Sequence, residues 1–184
     1  MNEREQSRGR RRRGKEKPKQ GEGQPPVERQ SRQPGERQNR ALDKFKKEIA
    51  NKGFADDAIM RLSRELGESL VRSQAQLRSD NRENTKTQVR KFYNLVRITH
   101  RTAGSEGELR IKLRTLQAQI AYAVARRTIS EDFKDLFDIS IEKVLKSDDA
   151  EASLSGFVTF FEAFYAYFYY QIEMDKNHQG GRRR

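Results

Sequence analysis

Between residues 86 and 101 the chain places Lys86, Arg90, Asn94, Arg97 and Arg101 at intervals of three and four residues. At ~100° per residue of an α-helix these side chains fall within an arc of ~80°, while Val89, Phe92, Leu95, Val96 and Thr99 gather on the opposite side. The four cations then form a ladder about 22 Å long, at 1.5 Å per residue. No acid interrupts the stripe, whereas a solvated helix face ordinarily mixes both signs at i and i+4. Arg forks two N–H donors onto one phosphate, and neutralising a polyanion releases its counterions, so the stripe suits a phosphate backbone. Such a surface reads shape and charge and carries no base readout.

Other chemistry finds little support. The only histidines are His100 and His178 and there is no cysteine, which excludes disulfides and leaves no metal cluster of recognisable spacing. The carboxylate pairs Asp56/Asp57 and Asp148/Asp149 are adjacent, so the partners do not share a helix face; both pairs stand where helices should begin, which is the position of capping residues. Gly104 to Gly107 matches a GXXG phosphate loop in letters only, with Glu106 where a phosphate would approach. No P-loop, dinucleotide fingerprint or nucleophile elbow occurs. The expectation is a non-enzymatic protein with no catalytic residue, cofactor or metal.

The elements that must position the stripe are helical. From Ala41 to Gln171 the apolar spacing is that of helices almost throughout, and no alternating run bounded by hairpin turns appears. A first segment over 42–51 (Leu42, Phe45, Ile49) stops at Gly53, a candidate C′ residue. A second over 56–77 has Ile59, Leu62, Leu66, Leu70 and Leu77 in phase, with Gly67 weakening it by roughly 1 kcal/mol relative to alanine. The basic helix starts at Thr85 or Thr87 and ends near 101. Ser105 and Glu108 have capping-box spacing for a fourth helix over 106–127. Ser130 opens a fifth to about 146, and Ser147, Asp148 and Asp149 a sixth to about 174. The fold expected is all-α: a compact helical bundle of about five or six helices.

Two of these helices show further candidates. The fourth carries Leu109, Leu113, Leu116, Ile120 and Val124 on one face and Ile111, Ala118 and Tyr122 on the other, as for a central helix or one meeting a partner. Arg126 and Arg127 stand at its end. The sixth holds nine of the chain's sixteen Phe and Tyr residues. Phe157, Phe161, Phe164, Phe168 and Ile172 share a face suited to core packing, whereas Tyr165, Tyr167, Tyr169 and Tyr170 spread around the remainder as candidates for contact with another subunit, together with Tyr122.

Charge divides the chain further. The formal net charge is +12, of which residues 1–40 hold +7 and residues 176–184 hold +4. Within the near-neutral remainder, residues 82–127 carry +8 and residues 128–175 carry −8. That split predicts one polyanion-facing surface and one that faces protein. Residues 1–40 contain one aliphatic residue after Met1, Val27, and cannot bury enough apolar surface to offset ordering. They are expected to form a disordered basic tail, 41–175 the RNA-binding bundle, and 176–184 a second disordered basic tail. The longest apolar run, 157–170, contains Glu162 and is too short to span a bilayer, and no signal-peptide core precedes it, so a cytoplasmic protein without membrane contact is expected.

The segments TKTQVRKFYNLV (85–96), LQAQIAYAVARR (116–127) and GFVTFFEAFYAYF (156–168) resemble three recurring blocks of the small subunit of type III-A CRISPR–Cas effector (Csm) complexes. The resemblance covers about 87 residues. It implies a helical subunit of antiviral defence, several copies of which stack beside the backbone and large subunits and contact guide RNA paired to target RNA without reading bases. It marks Lys86, Arg90, Lys91 and Arg126 as backbone contacts; Arg97, Arg101 and Arg127 rest on the helical stripe and the helix end. The chain departs from the pattern in its long basic extension before Ala41 and in Ala125, where a glycine is expected. Two other readings stay open: a helical scaffold whose RNA affinity comes only from its basic tails, and a free-standing RNA chaperone.

Overall fold

The computed structural model describes residues 39–76 and 83–180. Six helices follow one another: α1 (Arg40–Asn51), α2 (Asp57–Gln76), α3 (Lys86–Thr102), α4 (Glu106–Ala125), α5 (Glu131–Leu145) and α6 (Ala150–Gly180). Among the described residues there is no strand, and no helix is long and apolar enough to cross a membrane. The all-α bundle expected from the sequence is therefore present. The expected N-terminal tail, but for residues 39 and 40, and Leu77 lie outside the described residues, as do residues 181–184; residues 176–180, expected in a disordered tail, are helical, because α6 runs six residues past its expected end.

Each helix begins on a side chain that takes up an orphan backbone N–H. Asn39, Thr85, Ser105 and Ser130 accept from Leu42, Gln88, Glu108 and Phe133. Asp56 accepts from Ala58 and Asp149 from Ala152, so one member of each paired carboxylate is a cap. At Ser105 the capping box is stretched: Glu108 reaches past the cap to the N–H of Gly104 at 3.1 Å. Lys112, first, and this N–H hold the Glu108 carboxyl below its ordinary range.

The central element is α6, packed on α2, α3 and α5. Phe157, Phe161, Phe164 and Phe168 are buried on its core face, but so is Phe160, stacked on Phe45 at 5.0 Å and meeting Phe54 at 5.8 Å. Ile172, expected in the core, is only partly buried. The reason is that α6 is covered from two sides. Gly67 shows why one of those neighbours comes so close: a Cβ there would stand 2.8 Å from the backbone nitrogen of Phe168, so glycine permits the α2–α6 approach.

Gly53 stands at C′ as expected, but the C-cap Lys52 before it is extended and none of the described glycines has positive φ, so α1 ends without a left-handed glycine. And α4 buries one face only, through Leu109, Leu113, Leu116, Ile120 and Ala123, leaving Ile111 69% and Tyr122 64% exposed.

Candidate nucleic-acid interface

The α3 N-terminus and the α4 C-terminus are brought together by a residue the sequence reading passed over. Asn84 is buried with φ 50°; its N–H donates to the Thr128 carbonyl at 2.9 Å. Its side chain accepts from the Ser130 N–H at 2.9 Å and donates to Ser130 Oγ at 2.7 Å. Asparagine tolerates the left-handed region better than most residues, and its position in a polar loop before a helix was the available signal. The clip sets the first turns of α3 beside the α4–α5 turn, where Arg126 and Arg127 stand.

That turn is a Schellman cap. The N–H of Arg127 donates to the Val124 carbonyl at 2.7 Å, and that of Thr128 to the Ala123 carbonyl at 3.0 Å. The left-handed position at φ 56° is held by Arg127, where glycine is usual, and both arginines are exposed. Arg126 lies over the Tyr122 ring, 5.6 Å from its centroid, and Nη1 donates weakly to the hydroxyl at 3.4 Å.

On α3 the stripe divides. Arg90, Asn94 and Arg101 are exposed, as is Lys91. Arg97 is half-buried over the Tyr93 ring, 5.4 Å from its centroid. Lys86 is half-buried too, ion-paired with Glu173 of α6 and 4.0 Å from the centre of the Tyr169 ring. Between these two cations Tyr93 stacks on Tyr165 at 5.6 Å, and Tyr165 meets Tyr169 at 6.3 Å. Burial, and next the nearby Glu162 carboxylate, push the Tyr93 hydroxyl pKa up. The stripe that is acid-free along α3 is thus edged by α6 carboxylates, a pairing across about 80 residues of sequence that helical periodicity does not reveal.

Ion pairing separates the outer face from its surroundings. Arg64 and Arg72 share Glu68, Arg110 pairs with Glu106, Lys112 with Glu108 and Lys134 with Asp138. Arg114 of α4 pairs with Glu142 of α5, and this guanidinium holds the Glu142 carboxyl below its usual range. By contrast Arg90, Lys91, Arg97, Arg101, Arg126 and Arg127 pair with no carboxylate among the described residues. Lys91 and Arg126 also line one open groove of about 610 Å3 between α3 and α4, with Tyr122, Gln88 and Gln119.

The tyrosine candidates separate likewise. Tyr122, Tyr167, Tyr169 and Tyr170 are exposed, while Tyr165 is half-buried against Tyr93 and is as much a part of the packing as of the surface.

These features define a helical bundle with a basic face whose outer cations pair with no carboxylate among the described residues. A model of the Csm2 Type III-A family matches residues 64–173, more than half of the chain and all seven candidate cations, and the chain belongs to that family. It is a small subunit of the type III-A Csm complex, from a family of structural small subunits that assemble with other subunits. No curated protein and no solved structure matches the chain.

Proposed function

We propose that the chain is a non-catalytic, cytoplasmic subunit that binds the backbone of guide RNA and target RNA without reading sequence, through the outer face of α3 and the end of α4. The supporting observation is the contrast in ion pairing: Arg90, Lys91, Arg101, Arg126 and Arg127 are exposed and pair with no described carboxylate, beside helices whose cations largely do. An unpaired Arg loses no internal partner when a phosphate arrives, and counterion release then contributes in full. Lys86 supports the reading least, because it already has Glu173 and Tyr169.

The exposed Tyr167, Tyr169 and Tyr170 support contact with the backbone and large subunits or with further copies of the chain, since exposed aromatics are favoured in subunit contacts. The test is a salt titration of RNA binding by Arg90→Glu and Arg101→Glu. Each is expected to weaken unrelated RNA sequences alike and to lower the salt slope by about 0.7 to 0.9 per lost phosphate contact. Unchanged affinity in both variants overturns the reading.

A further inference from the structure

The groove between α3 and α4 has a composition that a paired duplex does not use. Its polar lining is Lys91, Arg126, Gln88 and Gln119, with Thr115 and Thr128 whose hydroxyls donate to backbone carbonyls, and no acid; Tyr122 stands in it 64% exposed. Neither glutamine side chain nor Lys91 has a hydrogen-bond or ion-pair partner among the described residues, whereas Arg126 is held against the Tyr122 ring. Inside a duplex the base faces are stacked on one another, so an exposed ring can do nothing for them; an unpaired base offers its face to such a ring. Cations beside an aromatic platform are the combination that holds single-stranded nucleic acid, the cations on phosphate and the ring on the base. Unpaired amides can serve base edges, donating and accepting from one group.

We propose that this groove takes one unstacked RNA base on the Tyr122 ring, with Lys91 and Arg126 on the flanking phosphates. This rests on the RNA-backbone reading above and adds to it a contact that only an unpaired nucleotide can make. Ile111, farther along the same exposed α4 face, lies outside the groove and plays no part in it.

The test uses the full chain and a single-stranded oligoribonucleotide of mixed sequence with one 2-aminopurine, whose fluorescence falls on stacking, beside the same strand annealed to its complement. Wild type and Tyr122→Phe are expected to quench the single strand. Tyr122→Ala is expected to lose the quenching and weaken single-strand binding about fivefold or more, with a smaller effect on duplex affinity, which reaches Tyr122 only through its hold on Arg126. If Tyr122→Ala changes neither quenching nor affinity while Arg90→Glu weakens both strands, the base platform is overturned and the backbone reading stands. If Arg90→Glu and Arg101→Glu also change nothing, the backbone reading fails and the platform with it. If Tyr122→Ala leaves RNA binding intact but releases the chain from co-expressed complex subunits, the groove belongs to protein and the proposal is overturned.

Discussion

Arg127 occupies a backbone position that strains any residue with a Cβ, at φ 56° in the Schellman cap of α4. Its exposed side chain makes no ion pair with the described residues, so nothing local repays the strain. Arg127→Gly is therefore expected to stabilise the fold by about 0.5–1 kcal/mol, a rise in Tm of a few degrees by calorimetry, while weakening RNA binding. A fall in Tm would refute that account of the position. Lys86 and Arg90 make the opposite comparison. Arg90→Gln should lower RNA affinity with stability unchanged within about 0.5 kcal/mol, as for an exposed residue without partners. Lys86→Gln should cost up to about 1 kcal/mol of stability, because Glu173 loses its closer cation at a partly exposed site and keeps only Lys176 at 3.8 Å, and change RNA affinity less. Denaturant titration and RNA binding on both variants decide it. The chain's own spacing showed that both cations lie on one face; it could not show Glu173, which only the α3–α6 packing brings to Lys86.

At the scale of elements, caps and periodicity made the six helices legible: Thr85, Ser105, Ser130, Asp56 and Asp149 all cap where residue type and spacing place them. Which helix is central was not legible, because α4 and α6 both carry apolar residues around much of their circumference; ring volume decides it, and α6 holds the phenylalanines. Gly67 illustrates the same limit. Helix propensity alone says that Gly67→Ala stabilises α2 by roughly 1 kcal/mol, whereas a Cβ 2.8 Å from the Phe168 nitrogen must push two backbones apart. The expected outcome is destabilisation by about 1–3 kcal/mol, the cost of overpacking, measured by urea unfolding; a gain in stability would mean that the α2–α6 approach is looser than described. The α4–α5 contact has a pH signature. Because Arg114 depresses the Glu142 carboxyl, its contribution is present above the ordinary value of 4.5 and is lost as pH falls through the lower folded value. Glu142→Gln should thus flatten the acid side of the stability profile below about pH 4.5 and leave the neutral-to-alkaline side parallel to wild type.

For the whole molecule the question is which basic residues bind. The terminal segments hold most of the net +12, and segments of that composition attract any polyanion, so RNA binding by the intact chain does not by itself implicate the bundle. The caps and helix ends set how far a deletion can reach into the described residues. Asn39 caps α1 and its side chain also bonds Asp132 at 2.9 Å and Ser69 at 2.6 Å, so a deletion must stop at residue 38; at the other end α6 continues to Gly180. A chain of residues 39–180 keeps every described hydrogen bond of the caps. It is expected to bind RNA more weakly at low salt and with a shallower salt slope, because cations have been removed, yet to retain binding that Arg90→Glu and Arg101→Glu abolish. Should residues 39–180 bind no RNA while still associating with Csm subunits, the scaffold reading wins: the unpaired cations of α3 would then be an ordinary solvated face and RNA affinity a property of the tails.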